Sequence, residues 1–296
     1  MNYLKEILTA KKREISSLEA RINNEVKNSG AGCNAEKFLI NHFNIEIFSK
    51  RRKNKILLKN IKAGKVNIIA ELKKASPSRG LINPELNVAD TALLYNKYKS
   101  FISAISVITE PVYFKGSPDY LIEVKKVSKL PVLKKDFIFH KYQIYESAAI
   151  GADCILLISS ILGSKKLNEL YDLASGIGLD VLIEVHDERE LDKALKIGAN
   201  FIGINNRNLK TMKINLDNTK QILKYLKNKI PSEIVLVCES GVEDINYIEE
   251  LYSMGINAFL MGSYFMKSSN LEHDLSRMEV QLAEKGMIKL IKDGLD

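Results

Sequence analysis

Six short apolar runs in this 296-residue chain end on side chains able to move protons or hold an anion. The first ends Glu71-Leu72-Lys73. Residues two apart on a strand point the same way, so an acid and a base are aimed together there. Burying such a pair in apolar surroundings costs too much desolvation for it to be idle unless it is paired. Later runs end Lys134-Lys135-Asp136-Phe137, Glu184-Val185-His186 and Asn205-Asn206-Arg207. The last two end Glu239-Ser240-Gly241 and Gly262-Ser263. Five of these six ends carry an ionisable group. Each alone reads equally well as a core ion pair. Their recurrence at the same end of successive runs points to one site.

The Ser-Gly and Gly-Ser ends suit a phosphate. Glycine lets backbone N–H groups approach the oxygens, serine adds a hydroxyl, and a helix N-terminus can follow.

Side chains at the ends of separate runs meet only if the runs are neighbouring strands. Eight strand-type runs are expected near Val66–Leu72, Ile102–Ile108, Pro131–Lys135, Cys154–Ile158, Val181–Val185, Phe201–Asn205, Ile234–Cys238 and Ala258–Met261. They lack a polar face, as parallel strands buried on both sides do. Segments of helical period lie between them, such as Asp187–Ile197 and Glu243–Met254. A quasi-repeat marks the helix-to-strand joints at Gly151-Ala152-Asp153, Gly178-Leu179-Asp180, Gly198-Ala199-Asn200 and Gly255-Ile256-Asn257. In each, glycine stands where a helix takes its left-handed cap. Eight such units predict an α/β fold, a closed (β/α)8 TIM barrel with an N-terminal helical extension. An open doubly wound sheet is the competitor, but no GxGxxG follows the first run. The expected division is residues 1–65 for the extension and 66–296 for the barrel.

Within 1–65, Tyr3–Ile22 reads as one amphipathic helix, Asn23–Asn34 as a polar loop and Ala35–Lys50 as a second helix. The extension could cap the barrel bottom, serve an interface or form a lid over the site. The basic run Lys50–Lys55 reads as a solvated face.

Composition excludes several classes. At 46% apolar and 27% charged residues the chain is globular rather than disordered. No apolar run reaches the ~20 residues of a membrane span, and the charged N-terminus lacks a secretory pattern. Three cysteines without a CxxC suggest reduced thiols and a cytoplasmic location. The net charge of +8 is spread through helices without clustered arginines and aromatics, so no nucleic-acid partner is expected. Nor is a membrane. A monomer is the working expectation. The four histidines form no metal-ligand spacing, and no metal is expected.

Long ordered blocks also resemble the indole-3-glycerol phosphate synthase family, the ring-closing enzymes of tryptophan biosynthesis. They are Ile68–Ser78, Ser106–Glu110 with Phe114–Ser117, Pro131–Phe137 with Tyr142–Glu146, Leu182–Asp187, Gly203–Leu209 and Glu239–Gly241. The resemblance implies a phosphorylated small-molecule substrate, 1-(2-carboxyphenylamino)-1-deoxyribulose 5-phosphate. It is converted to indole-3-glycerol phosphate, carbon dioxide and water without a cofactor. It further implies Lys135 as catalytic acid, Glu184 as catalytic glutamate, and Glu71, Lys73, Asn205 and Ser240 as the rest of the catalytic set. Ser76, Arg207, Gly241, Gly262 and Ser263 would hold phosphate, and Phe114, Phe137 and Leu156 would pack on the substrate ring.

Lys135 suits the acid role if neighbouring cations and desolvation bring its pKa towards neutrality. His186 is expected to face away from Glu184, and Cys238 to be an inert core thiol. Gly262-Ser263-Tyr264-Phe265 departs from the family's usual strand-8 turn. The nearer alternative is another phosphate-binding barrel such as phosphoribosylanthranilate isomerase, which would need a Cys/Asp acid–base pair. A nucleic-acid binder is the more distant one.

Overall fold

All eight apolar runs are strands in the computed structural model, which describes residues 3–28, 56–61, 63–226 and 233–289. They are β1 (Asn67–Leu72), β2 (Ile102–Ile108), β3 (Val132–Lys135), β4 (Cys154–Ile158), β5 (Asp180–Val185), β6 (Phe201–Asn205), β7 (Val235–Glu239) and β8 (Ala258–Met261). Each pairs in parallel with its sequence neighbours, and β1 pairs with β8 to close the barrel. The open-sheet alternative is thereby excluded.

Strand alternation divides the apolar side chains into two sets. Ile69, Leu133, Leu156, Leu182, Val237 and Leu260 point inward and fill the barrel. Ile68, Ile105, Val132, Ile155, Ile183 and Phe259 point outward against the helices. Those helices are α3 (Val88–Lys97), α4 (Pro118–Val127), α5 (Lys141–Ala149), α6 (Ser164–Gly176), α7 (Glu188–Lys196), α8 (Asp217–Leu226), α9 (Ile245–Ser253) and α11 (Leu271–Glu284), with a single turn, α10 (Ser263–Met266), after β8. Gly151, Gly178, Gly198 and Gly255 all have positive φ, as the repeated joint requires.

Two elements precede the barrel. Helix α1 runs from Tyr3 to Asn28, past the expected stop at Ile22. Val26 continues the Leu18 and Ile22 stripe onto Tyr142 and Tyr145, so packing extends a segment whose composition reads as loop. The first half of α1 lies against the C-terminal end of the barrel. There Leu4, Ile7 and Leu8 join the cluster of Phe114 and Phe137, and Tyr113 donates to Glu6 at 2.8 Å. The short helix α2 (Ile56–Asn60) closes the opposite end. Leu57 enters the interior cluster, and the backbone N–H groups of Leu57 and Leu58 donate to Asp180 Oδ2 at 2.8 and 3.2 Å. The extension thus supplies both a cover and a plug. The expected helix Ala35–Lys50 and the basic run Lys50–Lys55 lie outside the described residues.

Candidate active site

The adjacent lysines of β3 show how alternation builds the site. Lys134 points outward and donates to Glu146 of α5 at 2.5 Å. Lys135 points into the barrel mouth, where carboxylates from three other strands converge on its ammonium. Its Nζ lies 3.2 Å from Glu239 Oε2, 3.7 Å from Glu71 Oε2 and 4.0 Å from Glu184 Oε2. Lys73 donates to the other oxygen of Glu71 at 2.5 Å.

These contacts set the protonation states. Burial alone would lower Lys135, but Glu239, Glu71 and Glu184 reverse it and hold the ammonium above its ordinary range. The expectation of a Lys135 pKa brought towards neutrality is therefore corrected: three carboxylates within 4.0 Å outweigh burial. The lysine held below its ordinary value is Lys73, lowered by burial despite Glu71, with Lys135 and Arg207 adding. Glu71 is held low by Lys73 and Lys135 against the effect of burial. Glu239 is wholly buried, and burial pushes its carboxyl up to about 7 despite Lys135.

All fourteen residues singled out in the sequence line one pocket of about 930 Å³ at the C-terminal end of the strands. On one side Phe114 and Phe137 form a tilted aromatic pair, 6.3 Å between centroids, with Leu156 and Ile158 beside them. On the other side Ser240 (φ +67) and Gly241 (φ +79) are consecutive left-handed residues. Gly262 there precedes α10 without a side-chain cap, which leaves the first N–H groups of that turn free of one. Ser76 sits in a two-residue ladder after β1. Arg207 donates to Ser78 Oγ at 3.2 Å and to the Met212 carbonyl at 3.0 Å. At Gly262 a β-carbon would strike Glu71 and come within 2.9 Å of Lys73 Nζ, so glycine brings this turn up to the acid–base pair.

A family model described as indole-3-glycerol phosphate synthase matches residues 4–278. The chain belongs to the indole-3-glycerol phosphate synthase family. An indole-3-glycerol phosphate synthase of Thermoanaerobacter pseudethanolicus is 47% identical over 202 residues, 68% of this chain and 75% of the relative. That of Nautilia profundicola is 42% identical over 234 residues, 78% and 88% of the two chains. Among solved structures, KGPDC from Streptococcus mutans superposes with a TM-score of 0.56 over 74% of this chain and 98% of that one. At 10% identity this is a likeness of fold alone. Membership bears out the enzyme reading, a carbon–carbon lyase of tryptophan biosynthesis, over the isomerase alternative.

For an indole-3-glycerol phosphate synthase the sequence under-reads three residues. Glu239 is read only as the ionisable group at its strand end and is given no role, yet its carboxylate is the nearest to Lys135. Glu110 accepts the N–H groups of Val112, Tyr113 and Phe114 at 3.0, 2.7 and 3.0 Å and so fixes the loop that presents Phe114. His186 does not face away from Glu184: its Nε2 lies 3.2 Å from Glu184 Oε1. Two residues apart, they share one side of the chain.

Cys238 is a core thiol, turned to the helices with Asn206 and Thr219, and burial pushes it up to about 12. In the divergent turn Phe265 packs on Tyr95 at 5.8 Å, and the Tyr264 hydroxyl accepts from Arg277.

Proposed function

We propose that this pocket closes the pyrrole ring of indole-3-glycerol phosphate on 1-(2-carboxyphenylamino)-1-deoxyribulose 5-phosphate. The observation that carries the reading is a lysine ammonium ringed by three carboxylates, between an aromatic pair and a Ser-Gly/Gly-Ser turn pair. The phosphate would sit on Ser76, Arg207, Gly241, Gly262 and Ser263. The anthranilate ring would lie against Phe114, Phe137 and Leu156. This sets the ketone carbon C2′ and its oxygen near Lys135.

Bond formation between the carboxylated ring carbon and C2′ leaves negative charge on the ketone oxygen. Lys135 is fixed where it can donate to that oxygen, and its raised proton affinity favours stabilising the charge before giving up a proton. Loss of carbon dioxide returns the electron pair to the ring and restores aromaticity. The C2′ hydroxyl then leaves as water with a proton from an acid, while the anilino nitrogen pushes electrons through the ring. A base removes a proton from C1′ to form the indole double bond.

Lys73, with its lowered proton affinity, is the better donor to the departing hydroxyl, and Glu71 holds it in place. Glu184 takes the C1′ proton. Asn205 and Ser240 orient the oxygens of the ribulose chain. Free buried thiols at Cys154 and Cys238 fit a cytoplasmic enzyme. Among the described residues no helix is long and apolar enough to cross a membrane.

The test is to supply the ribulose phosphate and follow the indole chromophore. Stoichiometric release of carbon dioxide with indole-3-glycerol phosphate supports the reading. An unchanged substrate, or one isomerised without carbon dioxide release, overturns it.

A further inference from the structure

His186 is absent from the pocket wall, yet both of its ring nitrogens face carboxylates. Glu190 of α7 receives both the His186 backbone N–H, at 2.9 Å, and its ring Nδ1, at 3.1 Å, on the same carboxylate oxygen. Glu190 is itself tied down, because its N–H donates to Asp187, the N-cap of α7, at 2.8 Å. With Nδ1 clamped from outside the barrel, the ring turns Nε2 towards Glu184. That nitrogen and Glu184 Oε1 are both buried and 3.2 Å apart, and neither makes a hydrogen bond of regular geometry among the described residues, this contact included. The contact is an ion pair, beside the 3.1 Å one between Nδ1 and Glu190. The second oxygen of Glu184, Oε2, is the one that faces Lys135.

A neutral imidazole would aim a lone pair at one of these two carboxylates, whereas the doubly protonated ring offers an N–H to each. Charged groups facing the ring are Glu184 on its own strand and Glu190 on α7, with Lys135 of β3 beyond Glu184. We propose that His186 is a positioning residue: clamped by Glu190 as an imidazolium, it keeps Glu184 ionised and aims its free oxygen at Lys135. This rests on the role given to Glu184 above. The electrostatics agree with the geometry. Against the effect of burial, Glu184 and Glu190 hold His186 above its ordinary range, and His186 and Lys135 hold Glu184 below its own. The arrangement separates two buried carboxyls: burial pushes Glu239 up to about 7, whereas His186 and Lys135 hold Glu184 below its ordinary range.

Two measurements on the full chain test this. In histidine ring NMR spectra, with the His186 signal identified by its loss in His186→Gln, the ring should stay doubly protonated to about pH 8.5. A midpoint near the ordinary value of about 6.5 overturns the proposal. In pH–rate profiles, His186→Gln should lose kcat on the acid side at least about one pH unit above the parent and return to within about 3-fold of it near pH 9. Glu190→Gln should shift the profile the same way by less. A uniformly lower kcat with unmoved limbs overturns the proposal. A parent enzyme inactive on the ribulose phosphate would sink the ring-closure reading, while the NMR titration judges His186 independently.

Discussion

Gly203 of β6 stands against Glu239 of β7 so closely that any β-carbon at position 203 would overlap Glu239 Oε1. The missing side chain is what lets a fully buried carboxylate lie inside the barrel and reach Lys135. Glycine usually weakens a strand, so its use here has a local cause.

Gly203→Ala should therefore act as a displaced-carboxylate variant. Overpacking at this point is expected to cost about 1–3 kcal/mol, read as a lower Tm. Because Glu239 must swing off Lys135, kcat should fall at least about 10-fold. Normal kcat with normal Tm would show that the barrel relaxes around the methyl group.

Lys135→Met keeps an unbranched stem and removes the ammonium. It also leaves Glu71, Glu184 and Glu239 facing one another without their shared cation. Turnover should drop by about 10³-fold or more, the scale for losing an acid that also stabilises transition-state charge. Product affinity should change far less, since the proposed phosphate donors are untouched. Measuring kcat alongside product binding by fluorescence checks both. A variant with near-parent kcat would remove Lys135 from the chemistry.

The proposed phosphate anchoring can be separated from that chemistry at Ser263. Gly241 is a poor test position: its φ is +79, and a β-carbon there would come 2.7 Å from Leu216 and 2.8 Å from Ile214. Ser263 opens α10 and its side chain is partly exposed. Ser263→Asp should raise KM by about 10- to 100-fold through repulsion of the phosphate, with kcat within about 3-fold. Steady-state kinetics at saturating substrate decide it, and a kcat loss at unchanged KM would argue against phosphate at this turn.

The barrel was legible because its signals repeat. Eight runs lack a polar face, and the glycines at 151, 178, 198 and 255 mark the joints. The pocket was legible because alternation sends Glu71 and Lys73 inward together. Three features needed the closed barrel. Glu239 shares a triplet with Ser240-Gly241, and its reach to Lys135 depends on Gly203 in the neighbouring strand. The proton affinity of Lys135 is set by carboxylates from β1, β5 and β7, which converge only once β1 meets β8. The Asn23–Asn28 end of α1 carries one stripe residue, Val26, and is helical because Tyr142 and Tyr145 are there to receive it. The facing of His186 is a different case. It has the parity of Glu184, so alternation alone places the imidazole and the carboxylate on one side.

Lys11 joins α1 to the site's framework. Its ammonium is buried, 3.1 Å from Asp136 Oδ2, and Asp136 also accepts from Thr109 Oγ1 at 2.6 Å and the Phe137 N–H at 2.8 Å. Lys11→Ala leaves that carboxylate short of its cation and should destabilise the fold by about 3 kcal/mol near neutral pH. Lys11 and its hydrogen-bonding neighbours hold Asp136 below its ordinary range, so this stability is present above the unfolded value and lost as pH falls. Parent and variant should converge below about pH 4 in denaturant titrations. A gap independent of pH would mean that Lys11 acts through packing of its stem.

Glu239 gives the opposite sign. Burial raises its folded pKa to about 7, above the unfolded value. Its contribution to stability is therefore fully present below the ordinary glutamate range and is lost as pH rises through about 7. Glu239→Gln has no proton to lose, so its Tm relative to the parent should climb between about pH 5 and pH 8. Activity should move the other way. Glutamine keeps the shape but cannot supply the counter-charge that Glu239 offers Lys135 as it ionises, so kcat should fall little near pH 5 and by about 10²-fold near pH 8. Tm and kcat measured on the same samples distinguish the two effects. A variant that loses activity without the pH-dependent gain in Tm would place the charge of Glu239 fully on Lys135 at all pH values, with no proton retained near neutrality.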